Sequence, residues 1–162
     1  AASSPPAIDW AAQQGHNILM DPHSSHADIG AKRKIYADTL QQHGHTIEGR
    51  ETPMARLMAI AETHDAAEEV ARNGAKWTVG AYATPLATNA MKVLGDAAAA
   101  DDSPVDPIER YVNDVIIYGT PAEVVDKIQE LNVEIDLDYL MCSPLSHSTF
   151  ELFTEKVLPR LL

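Results

Sequence analysis

Apolar positions along the chain fall into short runs, each followed at once by a capping residue and then by a helical stripe, and this order recurs. Near the start, Ser4 and Pro5 read as N-cap and first helical residue, Ile8, Ala11 and Ala12 share a face, and Gly15 supplies the stop. Asn17 to Met20 reads as a short strand. Ser25, with Asp28 three residues on, opens a helix whose Ile29, Tyr36 and Leu40 form one stripe up to Gly44. Pro53 to Ala61 (PMARLMAIA) is the longest strand expected, on the strength of its flanks more than its weak β-propensity, and Thr63 or Asp65 caps a helix running to about Val79. Val115 to Gly119 predicts another strand. The following Thr120-Pro121-Ala122-Glu123 offers a hydroxyl N-cap, a proline in first position and a glutamate in third, ahead of Val124, Val125, Ile128 and Leu131 at core spacing. Leu137 to Cys142 reads as a strand bounded by Ser143-Pro144, and Ser148 with Glu151 is expected to cap a last helix lined by Phe150, Phe153, Val157 and Leu161.

The pattern breaks between 80 and 114, where Ala97 to Ala100, Asp101-Asp102 and the prolines Pro85, Pro104 and Pro107 read as an insertion or mobile loop, helical in part around Ile108 to Val112. Otherwise residues 1–162 read as one partial domain. Recurring strand–helix units require right-handed crossovers, which makes this an α/β fold of parallel strands with outer helices. Each N-cap then lies on the edge where strands end and helices begin, the edge on which such folds build their sites. Ser3, Ser4, Asp21, His23, His26, Glu62, Thr63, His64, Ser143 and His147 are delivered there.

Composition narrows the function. With 45% apolar and 22% charged residues among 162, the chain can bury a real core, which excludes wholesale disorder. Its 24 acidic and 12 basic side chains leave a net charge of -12, which repels nucleic acid and anionic membrane surfaces alike. The one cysteine, Cys142, excludes an internal disulfide or a cysteine cluster and fits a reducing cytoplasm. No apolar stretch approaches the roughly 20 residues of a membrane span. Ala1-Ala2-Ser3-Ser4-Pro5-Pro6 has neither an initiator Met nor a basic-then-apolar signal, as expected of a soluble chain cut from something longer.

Several residues offer chemistry. Ser3 and Ser4 precede a helix, where unpaired N–H groups and the helix dipole attract an anion, although an ordinary N-cap looks the same in sequence. Asp21-Pro22-His23-Ser24-Ser25-His26 sets a His-x-x-His pair beside a carboxylate. A zinc site needs three or four such ligands, so the pair reads as capping or substrate-contacting groups and no metal is expected. His23 could donate a hydrogen bond to a substrate carbonyl. Arg56, in mid-strand, must find a partner if it is buried: Glu62, a ligand anion or another chain, as a structural ion pair or a functional one. Trp10, Trp77 and Tyr139 read as packing residues, and His16, His43 and His45 as solvated groups at helix ends. No Ser/His/Asp or Cys/His set with supporting context is visible.

Four stretches in order carry a resemblance. Ala1-Ala2-Ser3-Ser4-Pro5 running into Ile8-Asp9-Trp10-Ala11-Ala12-Gln13-Gln14-Gly15, then Asn17-Ile18-Leu19-Met20, then Tyr118-Gly119-Thr120-Pro121-Ala122-Glu123-Val124-Val125, and finally Phe150-Glu151-Leu152-Phe153 through Val157-Leu158-Pro159-Arg160-Leu161, resemble the bacterial luciferase-like flavin monooxygenases. The resemblance implies a (β/α)8 TIM barrel of ~250 residues or more, of which this chain would be the C-terminal half, from the end of the fifth strand to the eighth helix. It implies that Ser3 and Ser4 hold the flavin phosphate, with Ala7 where the family often has a further polar contact; the catalytic residues stay unassigned, with His23 and Arg56 as candidates from their own positions in the sequence. The cofactor would be FMN, reduced by a partner flavin reductase and used with oxygen on a small organic substrate. A deazaflavin-dependent oxidoreductase is the nearest variant. A half-barrel exposes strand edges and an apolar inner face, so association with the missing N-terminal half or a homo-oligomer is expected, with little activity alone. The alternatives from other classes are a non-catalytic half-barrel that stabilises a partner, and a small metal-dependent hydrolase.

Overall fold

A computed structural model describes residues 3–82 and 106–162. Its helices begin where the sequence supplies caps. α1 (Pro5–Gln13) follows Ser4, and α2 (His26–Gln42) starts at Ser25, whose hydroxyl accepts from the Asp28 N–H at 3.1 Å. α3 (His64–Tyr82) starts behind Thr63, whose hydroxyl accepts from the Ala66 N–H. α5 (Pro121–Ile135) opens with a complete capping box between Thr120 and Glu123. Between them, α4 (Pro107–Asp114) is capped by Asp106, and α6 (His147–Leu152) continues into a π-helical turn at Phe153–Val157. The cap of α6 is Ser146, two residues before the serine expected. Of the segment anticipated as an insertion, residues 80–82 close α3 and 107–114 form α4, while 83–105 lie outside the described residues.

Three parallel strands form the sheet, in the order β2 (Ile117–Gly119), β1 (Met54–Ile60), β3 (Leu140–Pro144). β3 runs from Met54↔Leu140 to Met58↔Pro144, so it starts three residues later than the apolar run suggested, and Leu137 instead enters the core. The strand expected at Asn17 to Met20 is reduced to one parallel bridge, Met20↔Met54, made by the Met20 N–H on the Pro53 carbonyl at 2.8 Å. Strand geometry places the partners of β1. Its even-numbered residues bond to β3, through the Met54 N–H and the Met58 carbonyl, while Pro53 and Ala61 bond to Met20 and Gly119 on the opposite edge. Met20, β1 and β3 are thus consecutive and parallel, and short β2 fills the same edge of β1 as Met20, nearer its carboxyl end.

The two faces of this sheet differ. Met54, Met58 and Ile60 pack with Ile8 and Ala12 of α1, Ile29, Tyr36 and Leu40 of α2, and Val124, Ile128 and Leu131 of α5. Because α2 connects Met20 to its neighbour β1, this is the helix-covered outer face of a right-handed crossover. The other face, which a complete barrel turns inward, carries Leu57 and Ala59. Near the carboxyl end it is roofed by Ala71 and Ala75 of α3 and Tyr111 and Val112 of α4. Further down, Met141, paired with Ala55, is 43% exposed, and Tyr139 beside it 47%. Trp10 and Trp77 are exposed as well, so neither they nor Tyr139 serve the packing role expected of them.

Candidate active site

The loop Asp21–Ser25 joins Met20 to α2 at the carboxyl edge of the sheet and is fixed by its own side chains. The Asp21 carboxylate accepts from the His23 N–H at 3.0 Å, from the Ser24 hydroxyl at 2.5 Å, and faces Lys32 at 3.5 Å. Burial raises the Asp21 pKa, but these donors and the Lys32 charge outweigh it and hold the carboxyl below its ordinary value. Lys32 also donates to the Ser24 hydroxyl at 2.6 Å.

Arg56 is fully buried beneath this loop. One terminal nitrogen donates to the Pro22 carbonyl at 2.9 Å and the other to the Ser24 carbonyl at 2.9 Å, while Nε donates to His26 Nδ1 at 3.3 Å. The expected partner Glu62 is not there: it pairs with Lys156 at 2.7 Å on the surface. Arg56 is satisfied by carbonyls because the loop wraps its guanidinium, placing acceptors around a planar fork of donors. Desolvation lowers its pKa to about 10, against the pull of Asp21, so it stays charged at neutral pH.

The two histidines of the His-x-x-His pair part company. His26, first residue of α2, is buried, and desolvation reinforced by the Arg56 and Lys127 charges depresses its pKa to about 3. Since Nδ1 accepts from Arg56, the neutral ring carries its proton on Nε2, and that nitrogen is buried without a hydrogen-bond partner. His23 turns the other way, toward the inward face, where Nδ1 lies 2.7 Å from the Tyr111 hydroxyl. Burial lowers the His23 pKa, Asp21 raises it and Arg56 lowers it, leaving the ring below its ordinary value. The structure therefore brings Asp21, His23, His26 and Arg56 together but gives them different tasks. His147 sits apart on α6, paired with Glu151 at 3.3 Å. Among the described residues, no three His, Cys, Asp or Glu side chains are placed to hold a metal ion.

Ser3 and Ser4 lie at the start of α1. The Ser4 hydroxyl makes no capping bond, and the Ser4 carbonyl accepts from the Ala7 and Ile8 N–H groups. Pro5 and Pro6 occupy the first two helical positions, so the N–H groups that normally attract an anion are missing there. An anion at this helix start would be held by the two serine hydroxyls, with little help from backbone donors.

Three contributors to the site escape a reading of the sequence. Ser24 and Lys32 brace Asp21 from within and beyond its turn; the Asp21–Ser24 spacing, typical of a side-chain-locked turn, was a usable signal for the first. Tyr111 comes from α4, 88 residues after His23, and no local pattern announces the contact. Cys142 is half-buried, and burial pushes its thiol up to about 11, which keeps it protonated at neutral pH.

A family model of luciferase-like monooxygenases matches residues 1–137. The chain belongs to this family. Among solved structures it is similar to the coenzyme F420 dependent tetrahydromethanopterin reductase from Methanopyrus kandleri, at 18% identity and a TM-score of 0.68, over 99% of this chain and 50% of that one. It is also similar to the oxygenating constituent of 3,6-diketocamphane monooxygenase from the CAM plasmid of Pseudomonas putida, solved with FMN, at 19% identity and a TM-score of 0.67, over 97% of this chain and 46% of that one. No curated protein matches. The luciferase-like chain thus spans about half the length of the structures it resembles, and its fold is the corresponding half of their barrel: parallel strands with outer helices. Among the described residues, no helix is long and apolar enough to cross a membrane.

Proposed function

We propose that this chain is the C-terminal part of a flavin-dependent monooxygenase that uses reduced FMN, supplied by a flavin reductase, and oxygen on a small organic substrate. The observation that carries the reading is the placement of His23 on the inward face at the carboxyl edge of parallel strands, held by Tyr111 and by the turn at Asp21, in a chain of this family. Bound FMN would supply the redox chemistry. The chain's own residues orient and shield: Ser3 and Ser4 offer hydroxyls to the phosphate, Arg56 keeps the His23 loop in place and adds fixed positive charge behind it, and His23 holds a proton that an acceptor oxygen can share. Similarity to the tetrahydromethanopterin reductase and to an F420-dependent secondary alcohol dehydrogenase favours, as a second reading, a deazaflavin-dependent oxidoreductase on the same scaffold. A complete site needs further strands, contributed by another part of the same polypeptide or by a second chain, in a cytoplasmic enzyme.

Titration of the complete polypeptide with FMN and with coenzyme F420, followed by absorbance and by oxygen consumption with a reductase present, tests this. FMN binding with substrate-dependent oxygen uptake supports the monooxygenase. F420 binding without oxygen uptake supports the second reading, and binding of neither leaves a non-catalytic assembly module.

A further inference from the structure

Lys32 carries its ammonium group almost out of solvent: its side chain is 13% exposed, and that of Asp21, which it faces, 7%. Burying a cation is costly unless a counter-charge and hydrogen bonds offset it. Closing the turn does not call for that cation, since the Asp21 carboxylate accepts from the His23 N–H at 3.0 Å and from the Ser24 hydroxyl at 2.5 Å. Chemistry also fixes the direction of each bond in the cluster. An ammonium can only donate and a carboxylate can only accept. The Ser24 oxygen, 2.6 Å from Lys32 Nζ, therefore accepts from Lys32 and points its own proton at Asp21. We propose that Lys32 is a positioning residue: acting through Ser24 and Asp21, it holds the His23 main chain in register with α2.

The place of Lys32 on α2 suits this task. Helical side chains lean toward the helix start, so a residue in the second turn of α2 reaches back to the loop that precedes the first. Further along, α2 is tied to α1 by the Tyr36 hydroxyl on the His16 carbonyl at 2.8 Å and by the Thr39 hydroxyl on the Asp9 carboxylate at 3.1 Å. Lys32 thus joins the His23 loop to the helix pair whose first member follows Ser3 and Ser4. The charged and titratable groups facing Asp21 are Lys32 of α2, His23 in its own loop and Arg56 of β1. Without the ammonium, burial acts on the Asp21 carboxyl with less opposition, and its pKa rises. The inference rests on the functional reading above for what His23 does, but not for the clamp.

Hydrogen exchange at the His23 amide reads the clamp, and carbon-13 NMR of the aspartate carboxyls reads the Asp21 titration, with Asp21→Asn assigning the resonance. In Lys32→Met, which keeps a long side chain and removes the charge, His23 amide exchange should accelerate roughly tenfold and Asp21 should titrate at higher pH than in the parent. Lys32→Gln gives Ser24 a donor without the charge, so it should recover much of the amide protection and little of the titration. In the complete enzyme Lys32→Met should lower kcat several-fold with KM changed far less, and should carry the acid limb of the pH profile upward with Asp21. A lysine that serves stability alone would lower the melting temperature and leave that division between kcat and KM unmoved. Unchanged His23 exchange and an unchanged Asp21 midpoint in folded Lys32→Met overturn the inference. If Lys32→Met does not fold, Lys32→Gln decides, because its Asp21 midpoint must still rise. Exchange and titration need no flavin, so a chain that shows both shifts yet binds neither FMN nor F420 removes the functional reading and leaves the clamp. Flavin-dependent turnover by the complete enzyme, with the His23 amide unaffected in Lys32→Met, removes the clamp and leaves the functional reading.

Discussion

At the scale of single residues, burial decides what each titratable group is worth. In the unfolded chain the His26 imidazole protonates below about 6.5, whereas in the folded protein it resists until about 3. Between those values the unfolded state binds more protons, so stability falls as pH drops, by up to roughly 1.4 kcal/mol per pH unit. Asp21, whose folded pKa lies below 3.8, adds a contribution that is present above that value and lost only further into acid. His26→Gln keeps an acceptor for Arg56 and removes the titration. Urea midpoints measured from pH 7 to pH 4 should decline in the parent and flatten in the variant; equal slopes would show that His26 is not the group responsible. Ser4 makes the complementary case. Because its hydroxyl caps nothing, Ser4→Ala should change the melting temperature little, in place of the about 1 kcal/mol usual for an N-cap. The same variant should weaken FMN binding by the complete enzyme several-fold if the hydroxyl holds the phosphate. Unchanged FMN affinity would remove Ser4 from the cofactor site.

At the scale of elements, the turn from β2 into α5 shows a sequence signal and its structural cost together. Gly119 has φ 142°, and a Cβ there would meet Glu123 Oε2 at 2.8 Å and its Cβ at 2.9 Å. Glu123 is in that position because it closes the capping box, accepting from the Thr120 N–H at 2.7 Å. Gly119→Ala should therefore be destabilising by about 2 kcal/mol, from a strained φ plus a displaced cap, which a denaturant titration would register. A shift below about 0.5 kcal/mol would mean that the turn relaxes without penalty. This region was legible in the sequence because caps and turns are local: Thr120, Pro121 and Glu123 act within one turn of helix. The strand ends were not. Asn17 to Met20 has the apolar run of a strand but finds only one bridge: with Met20 parallel to Met54, its earlier residues fall opposite 51–53, ahead of β1. Leu137 reads as strand yet packs into the core ahead of β3.

At the scale of the whole molecule, the inward face is covered where α3 and α4 roof it and open where Met141 and Tyr139 stand. β3 pairs with β1 on one edge only, so among the described residues its other edge has no strand partner. The chain should self-associate or capture the remainder of its barrel through this surface. Met141→Lys with Tyr139→Lys should shift sedimentation toward monomer and leave the melting temperature nearly unchanged, as both side chains are already half in solvent. A parent chain that sediments as a monomer at high concentration would refute the association.

The sequence by itself determined what depends on near neighbours: the helix starts, the strand–helix alternation that demands parallel pairing, and the family, carried by short stretches in fixed order. It also placed Asp21, His23 and His26 at one sheet edge, because strand ends and loops follow from that alternation. Only the tertiary structure decided which of them does what. Arg56 found carbonyls in place of Glu62, and the two histidines, three residues apart, were sent to opposite faces, one neutral in the core and one against Tyr111. The reason is physical: hydrogen-bond partners, dielectric and charge at a buried site are set by groups brought together from distant segments, and local residue spacing carries no information about who arrives.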